Sequence, residues 1–138
     1  MGGTAGKAQV AVLNASDDIL ELLRRMLEHE GLTTVTAHVD DVKRGRLDLI
    51  EFLEAHDPDV ILYDIAPPYE DNWAFFRLVR ATDAARGRTF IITTTNKQAL
   101  EQLVGPVGAH EIVGKPFDVD AVLESVRQAL ARRETFKA

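Results

Sequence analysis

The sequence predicts an α/β domain in which a parallel, five-stranded sheet is covered by helices on both faces. Five short apolar runs, typical of strands that are buried on both faces, alternate with segments whose apolar residues recur at helical spacing. Such alternation gives right-handed crossover connections and a doubly wound domain of three layers. A chain of 138 residues suffices for one domain with a full core.

The first strand and the first helix are predicted from residues 10–31. The apolar run Val10–Leu13 ends at Asn14, and Ser16 then supplies an N-cap for the helix, which Gly31 ends. The apolar face of this helix is formed by Ile19, Leu22, Leu23, Met26 and Leu27.

The second strand and helix are less regular. Leu32–Ala37 is rich in threonine and valine, as strands are. The charged segment His38–Arg46 is interpreted as a loop or an irregular first turn. The helix that follows ends near His56, and its apolar stripe is formed by Leu47, Ile50 and Leu53.

The third strand is the apolar run Val60–Tyr63, which Asp64 follows directly. The pair Pro67-Pro68 stiffens the next loop, because each proline fixes its own φ angle. The helix beyond it is predicted to end at Gly87, and its inner positions include Trp73, Phe76 and Val79.

The last two strands are predicted at Thr89–Thr95, a β-branched run, and at Ile112–Val113. Asn96 caps a helix between these strands, which reaches Val104. Asp118 caps the final helix, whose inner face is formed by Val119, Val122, Leu123, Val126 and Leu130.

Composition limits the classes of function. A formal net charge of −6 argues against nucleic acid or an anionic membrane as the main partner. The absence of cysteine excludes disulfides, thiolate metal sites and thiol nucleophiles, and it fits a cytoplasmic protein. No apolar run has the length needed to span a membrane, and residues 1–9 lack the apolar segment of a signal peptide. The expected location is therefore the cytoplasm.

Asp64 is the first candidate for chemistry. A charged residue directly after a buried run lies at the carboxyl end of its strand, where open parallel sheets place their ligand crevice. The alternative is that Asp64 only caps the turn.

Three parts of the chain, in this order and spacing, resemble the receiver domain of bacterial two-component response regulators. They are Pro58–Pro68, Thr94 and Gly108–Phe117, and the resemblance extends from Val10 to Leu130. It implies a sheet with strand order 2-1-3-4-5, as in receiver and flavodoxin-like domains.

The resemblance implies a role for individual residues. Asp64 would accept a phosphoryl group from a histidine kinase, Lys115 would pair with the acceptor carboxylate or the phosphoryl group, and a cis peptide would precede Pro116. The Thr94 hydroxyl would donate a hydrogen bond to the phosphoryl group. These residue types suit the reaction, because phosphoryl transfer requires in-line positioning and neutralisation of charge.

The sequence departs from the family at the metal site. Members usually carry two acidic residues after the first strand, which bind Mg²⁺ together with the acceptor, whereas this chain has Asn14 and Ala15. Asp64, Asn14 and the backbone carbonyl of Ala66 are then the expected ligands, and Mg²⁺ binding is predicted to be weak or absent. Acidic pairs that could substitute, although helix-dipole or solvated roles are more common for them, are Asp17 with Asp18, Asp40 with Asp41, and Glu70 with Asp71.

Other features also differ from the family. The aromatic switch position falls on Ile112, so any switching would use other groups. The segment His38–His56 is several residues longer than is usual. The histidines, His29, His38, His56 and His110, show no metal-ligand spacing.

Two functions follow as alternatives. The favoured one is a receiver in phosphorelay signal transduction that accepts a phosphoryl group on Asp64. The other is a pseudo-receiver, a protein-interaction module that acts without phosphorylation, as Asn14, Ala15 and Ile112 suggest. A flavin or dinucleotide enzyme is disfavoured, because the chain has no Gly-x-Gly-x-x-Gly motif.

The receiver domain is predicted to span residues 9–133, between a disordered N-terminal tail, 1–8, and a C-terminal tail, 134–138. No activity is expected beyond self-catalysed phosphoryl transfer and dephosphorylation. The expected partners are a sensor histidine kinase or phosphotransfer protein and a downstream protein, with signalling by protein contact. A homodimer could use the face of the fourth predicted helix, fifth strand and fifth helix, which carries Lys97, Glu101, Glu111 and Arg127.

Overall fold

The structure, a computed structural model, describes residues 8–104, 111–114 and 119–137. Its centre is a parallel five-stranded sheet with the order β2-β1-β3-β4-β5, which confirms the predicted fold and strand order. The strands are β1 Val10–Asn14, β2 Thr34–His38, β3 Val60–Ile65, β4 Thr89–Thr94 and β5 Glu111–Gly114.

Six α-helices lie between and after these strands within the described ranges. They are α1 Asp17–His29, α2 Val39–Lys43, α3 Leu49–His56, α4 Tyr69–Arg80, α5 Lys97–Val104 and α6 Val119–Lys137. None of the helices found in these ranges is both long and apolar enough to cross a membrane.

Two predicted boundaries were wrong. The segment His38–Arg46 contains a short helix, α2, because the His38 ring accepts the Asp40 N–H at 3.2 Å and caps it. The helix after β3 ends at Arg80 rather than at Gly87, since a separate 3₁₀ turn, Asp83–Ala85, follows it. Gly87, with φ of 80°, instead forms the left-handed turn into β4.

The domain boundaries stay predictions, and the described residues nearest to them are ordered as follows. Ala8, assigned to the N-terminal tail, is buried and donates its backbone N–H to His56 O at 2.7 Å. At the other end, α6 continues to Lys137, beyond the predicted domain boundary at residue 133.

Strands β1 and β3 are buried along their whole length, as their apolar runs predict. Along β1, Val10 and Val12 pack with buried residues of α1 and α6. Ala11 and Leu13 pack on the opposite face, with residues of α2 to α5. This alternation follows from the two-residue period of a strand. Because all five strands are parallel, their carboxyl ends lie at the same edge of the sheet.

Candidate functional site

Asp64 lies inside β3, one residue before its end, and its side chain is only 6% exposed. The register of β3 and β4 pairs it with Thr93, which is buried as well. The Thr93 hydroxyl donates a hydrogen bond of 2.8 Å to Asp64 Oδ1. A buried carboxylate is thus held in a fixed orientation by a neighbouring strand.

The hydroxyl that contacts Asp64 belongs to Thr93, whereas the hydroxyl predicted to donate to the phosphoryl group was that of Thr94. Thr94 pairs with Ile65, and its Oγ1 accepts the Asn96 backbone N–H at 3.4 Å. Successive residues of a strand face opposite sides of the sheet, so only one of the two can lie beside Asp64. The sequence offers three consecutive threonines, 93 to 95, and only the strand register selects among them.

The end of β1 forms a turn without carboxylates. Asn14 is 2% exposed, and its Oδ1 accepts the Ser16 backbone N–H at 2.9 Å. Ser16 in turn caps α1, since its Oγ accepts the Ile19 N–H at 3.3 Å. The Asn14 side chain therefore stabilises the entry to the helix.

A cavity of about 200 Å³ opens beside Asp64. Its walls come from the ends of β1 and β3, the β3–α4 loop, α2 and the first turn of α4. The lining residues are Ala15, Val39, Asp40, Lys43, Tyr63, Asp64, Ala66, Pro67 and Asn72. A water occupies about 30 Å³ in the liquid, so the cavity has room for a phosphoryl group.

Two of these residues, Lys43 and Asn72, were not predicted from the sequence. The Lys43 ammonium donates to Asn72 Oδ1, and Asn72 Nδ2 donates to the Ala66 carbonyl at 2.6 Å. A chain of hydrogen bonds thus joins α2, α4 and the loop after Asp64. The only sequence signal was the unusual length of the segment that contains Lys43.

Aromatic packing fixes the position of Asn72. The Phe76 ring contacts those of Tyr63, Trp73 and Phe90, with centroid separations of 5.0, 5.2 and 5.4 Å. These contacts hold α4 against the sheet one turn beyond Asn72. Burial, and then the adjacent Asp64 carboxylate, raise the pKa of Tyr63, so this cavity residue is a neutral phenol near pH 7.

The residues at this edge do not fit the usual magnesium site. Asn14 Oδ1 already accepts the Ser16 N–H, Ala15 has no donor atom, and the Ala66 carbonyl already accepts from Asn72. Over the described ranges, no group of three His, Asp or Glu side chains has a geometry that could hold a metal ion.

Of the substitute acidic pairs, only one member reaches the cavity. Asp40 lines it, whereas Asp41 lies 3.7 Å from Arg46 and Asp17 lies 3.8 Å from the His38 ring. Glu70 and Asp71 lie in the first turn of α4. Asp40 is therefore the second carboxylate of the cavity, beside Asp64.

Some predicted site residues lie outside the described part of the chain. Lys115 and Pro116 are among them. Ile112 lies in β5, where its backbone pairs with Ile92 of β4.

The architecture and the buried carboxylate agree with one family. The model of the response regulator receiver domain matches residues 10–127. The chain belongs to this family.

Known relatives extend the comparison. Response regulator MprA of Mycobacterium ulcerans is 27% identical over 126 residues, which cover 89% of this chain and 51% of that protein. The C4-dicarboxylate transport transcriptional regulatory protein DctD of Pseudomonas aeruginosa is 32% identical over 129 residues, covering 91% of this chain and 26% of that protein. This chain thus spans about half or less of their length.

Solved structures agree with the assignment. One described as a transiently phosphorylated "switch" in bacterial signal transduction superimposes with a TM-score of 0.70 and 27% identity. The superposition covers 93% of this chain and 98% of that one. The protein therefore contains a receiver domain of response regulators, a domain that acts in two-component signalling.

Proposed function

We propose that the receiver domain accepts a phosphoryl group on Asp64 from a sensor histidine kinase or a phosphotransfer protein, and that it signals by protein contact. The observation that carries this proposal is the buried Asp64 carboxylate, oriented by the Thr93 hydroxyl at 2.8 Å on the wall of an open cavity. A fixed nucleophile beside a cavity of sufficient size favours in-line attack on an incoming phosphoryl group.

In this reaction, the P–N bond of the donor phosphohistidine breaks while a P–O bond forms to a carboxylate oxygen of Asp64. The donor nitrogen keeps the electron pair of the broken bond and takes up a proton from solvent. Besides the nucleophile, the transfer needs only a cation and hydrogen-bond donors, because positioning and charge stabilisation supply most of the acceleration. Hydrolysis of the acyl phosphate would reset the domain.

The roles of the other groups follow from their places. The Thr93 hydroxyl orients Asp64 before transfer and can then donate to a phosphoryl oxygen. Lys115 keeps its predicted role as a cation that pairs with the acceptor or with the phosphoryl group. Mg²⁺ binding is expected to be weak, for lack of carboxylate ligands.

A small phosphodonor tests the proposal without a kinase. The full chain is incubated with phosphoramidate, and mass spectrometry then locates any added phosphoryl group. The expected product is an acid-stable, base-labile adduct on the peptide that contains Asp64. An adduct only at another residue, or none at all, would contradict the proposal and leave the pseudo-receiver as the alternative.

The output is proposed to use the face of α5, β5 and α6, including a homodimer through that face. Lys97 and Glu101 are exposed on α5 and could pair across a two-fold axis. Arg127 is engaged with Glu30, the residue directly after α1, within the same chain, which weakens its predicted part in a dimer. Sedimentation at high concentration, with and without phosphoramidate, would measure self-association.

A further inference from the structure

Lys43 places a positive charge on the wall of the cavity that Asp64 lines. Over the described part of the chain, the charged residues of this cavity are Asp40, Lys43 and Asp64. The lysine comes from α2, in the segment that is longer than usual, and not from a strand end. Although Lys43 is exposed, its ammonium is not merely solvated, because it donates to Asn72 Oδ1.

A phosphoryl group at Asp64 needs such a charge. It carries about −1.5 to −2 at neutral pH, and it would form at a buried carboxylate with Asp40 on the same cavity. Because Asp64 is buried, additional negative charge on it is stabilised by a cation close to it. In most relatives of this fold a divalent ion, held by an acidic pair, would supply that charge, and that pair is absent here.

The oxygen ligands that remain at this site are poorly suited to a divalent ion. The two potential oxygen ligands besides Asp64, the Asn14 amide and the Ala66 carbonyl, already accept hydrogen bonds from Ser16 and Asn72. A metal ion bound to the Ala66 carbonyl would have to share that oxygen with the Asn72 amide, which also anchors Lys43. A divalent ion would in addition be repelled by the Lys43 ammonium. Metal and lysine therefore compete for the same place.

We propose that Lys43 is the resident cation of the Asp64 cavity and stabilises the phosphoryl group directly, so that Asp64 is phosphorylated without a divalent metal ion. This inference rests on the proposed function, since it concerns how the same site binds its phosphoryl group. Asn72 acts as a positioning residue: its amide accepts from Lys43 and donates to the loop that follows Asp64. Ala15 leaves the space that a carboxylate would fill.

The experiment measures the initial rate of Asp64 labelling by phosphoramidate, in excess EDTA and in excess MgCl₂, with site location by mass spectrometry. For the unaltered chain the two rates should agree within about threefold, because Lys43 already supplies the charge. Lys43→Ala should lower the rate in EDTA by about tenfold or more, the effect of losing one charge-assisted hydrogen bond. Lys43→Arg should restore most of the rate, whereas Lys43→Gln should not.

Arg44→Ala is the matched control. Arg44 is the next residue on the same helix end, carries the same charge and is exposed, but it does not line the cavity. Its removal should leave both rates unchanged. Equal losses in Lys43→Ala and Arg44→Ala would overturn the inference, because the effect would then be one of general surface charge. A rate in Lys43→Ala equal to that of the unaltered chain in EDTA would overturn it too.

Calorimetry with MgCl₂ alone gives a readout that is independent of labelling. Lys43→Ala should bind Mg²⁺ several-fold more tightly than the unaltered chain, since a competing cation has been removed, and Arg44→Ala should not. If labelling of the unaltered chain requires Mg²⁺, the inference is overturned while the proposed function stays intact. Absence of label on Asp64 in both buffers would overturn the proposed function, and this inference with it.

Discussion

The carboxyl ends of β1 and β3 are neighbours in the sheet, yet they differ in chemistry. The end of β3 presents a buried carboxylate, Asp64, held by a hydroxyl from β4. The end of β1 presents Asn14 and Ala15, and its polar atoms serve the turn into α1. The β3 end places a carboxylate on the cavity, whereas the polar atoms at the β1 end stabilise the turn into α1.

The acceptor carboxylate and the acidic metal ligands usually occur together in the family, and this chain has the first without the second. The acceptor carboxylate and its hydroxyl partner depend on β3 and β4, whereas the metal ligands depend mainly on β1. A change confined to the β1 end can therefore remove the metal site without moving Asp64. The Lys43–Asn72–Ala66 chain of hydrogen bonds shows what occupies this side instead.

The largest effect is expected from Asp64→Asn, which removes the nucleophile from the β3 end. Labelling by phosphoramidate should fall to background, because a neutral amide cannot attack phosphorus at a useful rate. The measurement is the same mass-spectrometric assay. Asp71→Asn is the control, since Asp71 is an exposed carboxylate in the first turn of α4 and does not line the cavity. If the label persists in Asp64→Asn, another residue accepts the phosphoryl group.

Thr93→Val should have the next largest effect. The change is nearly isosteric but removes the hydrogen bond to Asp64 Oδ1, and a hydrogen bond to a charged group contributes about 1.5–3 kcal/mol to the free energy of unfolding. The labelling rate should fall by about tenfold, since orientation of the nucleophile is lost. Thr94→Val serves as the matched control. A greater loss of labelling in Thr94→Val would restore the original prediction for that hydroxyl.

The double change Asn14→Asp with Ala15→Asp would make the β1 end resemble that of other family members. Mg²⁺ should bind about tenfold more tightly, as measured by calorimetry. Without metal, the free energy of unfolding should fall by roughly 1 kcal/mol, because the new carboxylates repel Asp64 and Asp40.

A control for this double change adds two carboxylates on the exposed face of α5, Gln98→Glu with Gln102→Glu. It should leave Mg²⁺ binding unchanged. If the unaltered chain already binds Mg²⁺ as tightly as the double variant, other carboxylates complete the metal site, and Asp40 is then the first candidate ligand.

Ser16→Ala should have the smallest effect. Loss of the N-cap of α1 should cost about 0.5–2 kcal/mol in the free energy of unfolding, measured by urea denaturation. Asp64 labelling should not change, because the β1 end has a structural role only. Asp48→Ala, which removes the N-cap of α3, should cost a similar amount. A labelling defect specific to Ser16→Ala would show that the β1 turn takes part in the reaction.

Much of the fold could be predicted because its signals are local. Buried parallel strands are continuous apolar runs, and Val10–Leu13 or Val60–Tyr63 can be recognised without knowing their neighbours. Helix caps such as Ser16 are equally local. The short helix α2 was missed since its five residues carry little periodicity, and its cap is a histidine, which is an uncommon N-cap residue.

The sequence by itself determined the alternation of strands and helices and the place of Asp64 near the carboxyl end of its strand. It also determined that positions 14 and 15 carry no acidic residue. These are properties of single segments. Only the tertiary structure decided that Thr93, not Thr94, contacts Asp64, and that Lys43 and Asn72 join the same cavity. The physical reason is that strand register and helix packing are set by contacts between residues distant in sequence, which no local pattern specifies.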